Sequence, residues 1–167
     1  MNRLSIYRFV SYLLLPIGTL LGLATLIALF VALGNMAMLL SLFLTGATVI
    51  YIFSSFVFLR KGIEKGIVSK KFLKDLIKVN AFVTLFFAIM GVMQGILVLL
   101  NPTATRLLID NMLAMQPEGS PPLGADQLMQ VMKGVLYFMI ILGSLLLFHI
   151  GSTFRYLKQH AALFTEE

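Results

Sequence analysis

The sequence has no cysteine and no tryptophan, only two histidines, and only seven acidic residues. Each scarcity removes a class of chemistry. Without cysteine there is no disulfide, zinc–thiolate site, c-type haem attachment or thiol nucleophile. His149 and His160 do not make a pair of buried haem ligands, because His160 follows the last apolar run. All the acids (Glu64, Asp75, Asp110, Glu118, Asp126, Glu166 and Glu167) lie outside the apolar runs. A carboxylate inside the membrane is the usual carrier of proton or cation coupling, so transport by this chain alone is not expected. No Gly-x-Ser-x-Gly motif accompanies the serines, which argues against an intramembrane hydrolase. No enzyme activity, cofactor or metal is therefore expected.

Charge is sparse as well. Only 12% of residues are charged against 59% hydrophobic, with a mean hydropathy of +0.97. Soluble domains of this length rarely exceed half apolar. The net charge of +6 would suggest nucleic acid in a soluble protein. Here the basic residues flank apolar runs, and nucleic acid is discarded as a partner.

Four apolar runs are long enough to cross about 30 Å of hydrocarbon at 1.5 Å per helical residue. They cover Phe9 to Leu33, Met36 to Leu59, Val79 to Leu100 and Gly134 to Phe154. The expected fold is an all-α integral membrane protein, one domain over residues 1–167, with four transmembrane helices in a bundle. Arg3 and Arg8 precede the first run, seven Lys or Arg occupy the 60–78 loop, and Arg155 and Lys158 follow the fourth run. The turn at Gly34-Asn35 is uncharged, and residues 101–132 carry Arg106 against three acids. Excess Lys and Arg mark cytoplasmic loops. Both termini and the 60–78 loop are thus expected in the cytoplasm of a cell with a plasma membrane, a bacterial inner membrane being the expected case. The first run exceeds a signal-peptide core of about 7–15 residues, which favours an uncleaved first span.

The 101–132 segment reads as an extracytoplasmic lid. Asn101-Pro102 opens a short helix running to about Gln116, with Ala104, Leu108, Met112 and Met115 on one side. Pro117, Gly119 and Pro121-Pro122 end it, and Asp126 is the candidate N-cap of the next helix. Facing the cytoplasm, residues 70–78 extend the third helix below its span.

Small residues let membrane helices approach closely. Gly18 and Gly22 in the first span, and Gly91 and Gly95 in the third, are the candidate packing seams. Gln94, beside the second seam, is expected to bond a neighbouring helix. An intramembrane polar cluster of Ser54, Ser55, Asn80 and His149 is expected near the cytoplasmic side, with His149 roughly 9 Å inside the span end. It would be a hydrogen-bonded neutral histidine or a site for a proton, quinone carbonyl or headgroup.

The methionines are distributed to one side. Apart from the initiator, all lie at or above the expected midplane, and Met90/Met93, Met112/Met115 and Met129/Met132 share a spacing of three. Such pairs arise in any buried helical stripe, in an adaptable apolar binding surface, or in a thioether site for Cu(I). Together with Gln94 these six residues form the candidate binding face. The functional expectation is an accessory or interaction subunit of a membrane complex. Its partners would be the lipid bilayer and another membrane protein or a second copy of the chain. The alternative is a binder or carrier of a lipophilic small molecule or a soft metal such as Cu(I), through the Met-rich cap.

Overall fold

The computed structural model describes residues 3–32, 36–115 and 124–165. Among them are five α-helices: α1 (Arg3–Ala32), α2 (Met36–Val57), α3 (Lys71–Leu100), α4 (Pro102–Ala114) and α5 (Ala125–Gln159). The expected turns at Gly34-Asn35 and from Pro117 to Pro122 lie outside the described residues. The spans beginning at Arg3, Met38, Lys71 and Ala125 are long and apolar enough to cross a membrane. Their polar side chains fit that solvent. Thr19, Thr25, Thr48 and Ser144 each donate their hydroxyl to the carbonyl four residues back, at 2.6–3.0 Å. No hydroxyl hydrogen on these positions is left without an acceptor.

Two compact units are present: residues Met1–Phe87 with Leu145–Glu167, and residues Ala88–Ser144. In the first unit, α1 buries the stripe Tyr7, Val10, Ser11, Leu14 and Gly18, and leaves Phe9, Leu20, Ile27 and Phe30 outside. That inversion of the soluble pattern is expected where the surroundings are lipid. A Cβ on Gly18 would come within 2.8 Å of Ile52 Cγ2, and one on Gly22 within 3.4 Å of Val49, so α1 and α2 approach closely here. Pro16 lies within α1, which continues through it.

Past Val57 the chain widens into a π-helical segment, Phe58–Ile63. Glu64 N–H bonds the Leu59 carbonyl five residues back, and Gly66, at φ +64°, ends the turn. The left-handed backbone there suits glycine. The wide turn brings Arg60 and Arg8 of α1 onto one carboxylate, Glu64, at 3.1 and 3.3 Å. Arg60 also donates to the Tyr12 phenol. After α5, a 3-10 turn (Ala161–Leu163) leads to β2 (Phe164–Thr165), which pairs in parallel with β1 (Ser69–Lys70). Phe164 stacks on Phe58 and lies 5.4 Å from Lys74 Nζ.

In the second unit α3 and α5 meet through glycines. A Cβ on Gly95 would stand 2.8 Å from Ile140, and one on Gly143 would stand 2.5 Å from Val92 and 3.1 Å from the Ala88 carbonyl. Gly91 faces Met139 at 3.5 Å. Thr105 of α4 places its hydroxyl 2.9 Å from the Val98 carbonyl, one of the last acceptors of α3. This ties the short helix to the one before it. The buried face of α4 is Thr105 and Ile109. Leu108, Met112 and Met115, expected along one side, are all exposed. The cap of α5 differs from expectation. Helix begins at Ala125, so Gly124 rather than Asp126 is the N-cap, and Gln127 reaches back to the Gly124 N–H at 3.3 Å. Asp126 instead sits in the first turn, where its charge complements the helix dipole.

Candidate functional site

The densest polar chemistry lies where α1, α2 and α5 come together in the first unit. Tyr7, Ser11, Tyr51, His149 and Thr153 are all buried. Both imidazole nitrogens are engaged: Nε2 lies 2.8 Å from Ser11 Oγ, and Nδ1 lies 2.8 Å from the Tyr51 phenol. The Tyr7 ring stacks on the imidazole at 4.9 Å and 17°. Thr153 Oγ1 lies 3.2 Å from the Tyr7 hydroxyl and 3.0 Å from that of Tyr51.

Hydrogen placement follows from what carbonyls can do. Ser11 must donate to the Tyr7 carbonyl at 2.8 Å, and Thr153 to the His149 carbonyl at 2.8 Å, because a carbonyl only accepts. With those hydrogens committed, Ser11 accepts from Nε2–H, and Nδ1 accepts from Tyr51. Tyr7 then donates to Thr153, and the Tyr51–Thr153 approach is left without a hydrogen. A neutral imidazole therefore satisfies every contact but one. Among the described residues no carboxylate touches the network, so none of them would compensate an imidazolium.

This tautomer bears on catalysis. A base for the Ser11 hydroxyl would need a free lone pair on Nε2, whereas here Nε2 carries the hydrogen and donates it. The arrangement binds three helices together through i,i+4 pairs, Tyr7 with Ser11 and His149 with Thr153, on facing helix surfaces. Tyr51 joins them from α2.

The polar cluster was expected on Ser54, Ser55, Asn80 and His149. The structure gives His149 other partners. Ser54 and Ser55 donate to the carbonyls of Tyr51 and Ile52, and the Asn80 amide donates to the Leu76 carbonyl, each within its own helix. All three are buried, and Thr84 adds a further bond to the Asn80 carbonyl. Tyr7, Ser11, Tyr51 and Thr153 were missed. The available signal was the pair of small-polar residues four positions from an aromatic or histidine, Tyr7–Ser11 and His149–Thr153, at the same end of two spans.

The remaining candidates lie in the second unit and on its surface. Met90 and Met93 are about half exposed on α3, Met112 likewise on α4, and Met115 is 82% exposed. Met129 and Met132 are half-buried on α5. Gln94 was expected to bond a neighbouring helix; it is exposed and makes no hydrogen bond to any described residue. The i,i+3 thioethers of Met90/Met93 and Met112/Met115 are thus exposed rather than buried.

Comparison with protein-family models, curated proteins and solved structures found no match.

Proposed function

We propose that this chain is a non-enzymatic, multi-pass plasma-membrane protein that works as an interaction subunit, docking another membrane protein against the face of α3 that carries Met90, Met93 and Gln94. The reading places both termini and the 60–78 loop in the cytoplasm, on the strength of the basic flanks. The observation that carries it is Gln94. A primary amide six residues from the end of α3 is about 9 Å inside the helix terminus. In hydrocarbon an unpartnered amide is costly. Flanking thioethers are adaptable apolar contacts of the kind found at such interfaces. A partner helix offering a carbonyl or amide would satisfy Gln94 and cover both methionines.

The test is purification of the full-length chain in mild detergent, with a photocrosslinker at Met93 and Gln94→Leu as the comparison. One crosslinked membrane partner, lost in Gln94→Leu while the chain stays monodisperse, supports the reading. A crosslink only to a second copy would make it a homo-oligomer. A chain that runs alone and crosslinks only to lipid overturns it. Since the protein has no cysteine, single cysteines at Lys65 and Asp126 report orientation. The reading requires that Asp126→Cys be labelled from outside and Lys65→Cys not.

A second reading, a binder of a lipophilic small molecule, is favoured by an apolar groove of about 250 Å³ between α1 and α2. Its wall includes Leu21, Thr25, Met38, Ser41 and Thr45. The soft-metal form of this reading rests on the exposed thioether pairs, and a Cu(I) titration against a competing chelator tests it. Affinity unchanged after Met90, Met93, Met112 and Met115 become leucine ends it.

A further inference from the structure

A second, differently built site lies in the first unit, where the first turn of α1 meets the last turns of α5. An open groove of about 530 Å³ is found there, within the range of about 300–1,000 Å³ typical of small-molecule sites. Its polar side chains are Arg3, Ser152, Arg155 and Tyr156. Each can donate and none is an acid. Elsewhere at this end of the unit arginines have an anion: Arg8 and Arg60 share Glu64. Arg3 and Arg155 make no ion pair with any described residue.

The hydroxyls tell the same story. Ser144 and Thr153 on the same helix donate to the carbonyl four residues back, whereas Ser152 makes no hydrogen bond to a described residue. The Tyr156 ring is held against Tyr7 and His160, yet its hydroxyl likewise bonds no described residue. Gly151 also lines the groove, and a Cβ there would meet nothing within 4 Å. Two guanidiniums from two helices thus flank one cleft with no counter-anion among the described residues, beside two hydroxyls that bond none of them. The cleft continues along an apolar wall of Ile6, Leu147 and Phe148, the last about half exposed.

We propose that this groove binds an anionic phospholipid. The phosphate sits between Arg3 and Arg155, which recognise its oxygens with charge-assisted hydrogen bonds. Ser152 and Tyr156 donate to the headgroup, and an acyl chain lies along Ile6, Leu147 and Phe148. Both arginines stand at or near the ends of helices long enough to span a bilayer, the level at which headgroups lie. The apolar wall distinguishes a lipid from a free phosphate, which would have no use for it.

Native mass spectrometry of the full-length protein in detergent tests this, with phosphatidylglycerol, phosphatidylcholine and inorganic phosphate added separately. Phosphatidylglycerol binds, and Arg3→Gln and Arg155→Gln each weaken it roughly tenfold. Gly151→Leu projects a side chain into the cleft from a position whose Cβ meets no atom within 4 Å, and weakens binding by at least as much while far-ultraviolet circular dichroism stays unchanged. Lys61→Gln, which removes a basic charge outside the groove, leaves binding within twofold. Loss of binding in Lys61→Gln equal to that in Arg155→Gln would mean diffuse electrostatics and overturn the proposal. So would full binding by Gly151→Leu, equal retention of phosphatidylcholine, or competition by inorganic phosphate at concentrations comparable to the lipid.

Discussion

Replacing Tyr51 with phenylalanine should destabilise the protein more than replacing the histidine it contacts, an ordering that follows from the hydrogen count. In Tyr51→Phe the imidazole keeps Nε2–H on Ser11, but Nδ1 loses its donor at 2.8 Å and is left buried with a bare lone pair. Switching tautomer does not help, because Ser11 has its hydrogen on the Tyr7 carbonyl. Leaving one buried acceptor unsatisfied, discounted for the modest worth of hydrogen bonds between membrane helices, costs about 1–2 kcal/mol. In His149→Phe both nitrogens disappear together. Ser11 retains its carbonyl, and Tyr51 turns its hydrogen to Thr153, already 3.0 Å away. A phenyl ring also keeps the stack on Tyr7. The cost should stay under about 1 kcal/mol. In the double variant the loss from Tyr51→Phe should shrink by at least about 0.5 kcal/mol, as expected for residues in one network. Reversible unfolding in mixed micelles by dodecyl sulfate, followed by far-ultraviolet circular dichroism, measures all three. If His149→Phe proves the more damaging, or if the two changes add without coupling, the hydrogen assignment is wrong.

The glycine contacts make a paired prediction. Gly143→Ala pushes a methyl into Val92 and the Ala88 backbone, and should cost about 1–3 kcal/mol, whereas Gly46→Ala meets nothing within 4 Å and should be neutral or gain up to about 1 kcal/mol, both read by the same unfolding assay. At Gly66, held at φ +64°, alanine should cost about 1–2 kcal/mol and speed proteolysis of the 60–70 loop, while alanine at Gly151 should do neither. Glu64→Gln removes the anion shared by Arg8 and Arg60. Because both arginines are nearly half exposed, the loss should stay below about 1 kcal/mol and fade as salt is raised in thermal-shift measurements.

Element identity was readable where the cause is local. Apolar runs of membrane length produce long helices whatever surrounds them, since an unpaired backbone in hydrocarbon is prohibitive. The Asn101-Pro102 start of α4 is likewise a local signal. The cap of α5 shows the limit of such reading. Asp126 is a good capping residue by type, yet the cap lies two residues earlier, at Gly124, whose N–H bonds the Gln127 side chain. The sequence also pointed to His149 as a polar residue inside a span. It could not name the partners, because helices with apolar residues on every side carry no amphipathic stripe to say which face turns inward.

By itself, then, the sequence determined an all-helical chain with four helices long and apolar enough to span a membrane, and a strongly basic set of flanks. Tertiary structure alone decided how those helices are rotated. Rotation put Ser11 and Tyr51 rather than Ser54 or Asn80 against His149. It left Gln94 exposed, with no hydrogen bond to a described residue, and it set Arg3 and Arg155 on one groove although they are far apart in the chain. The physical reason is that rotation is set by where small residues permit close approach. Such contacts as Gly18 on Ile52 and Gly143 on Val92 exist only between helices, never within one.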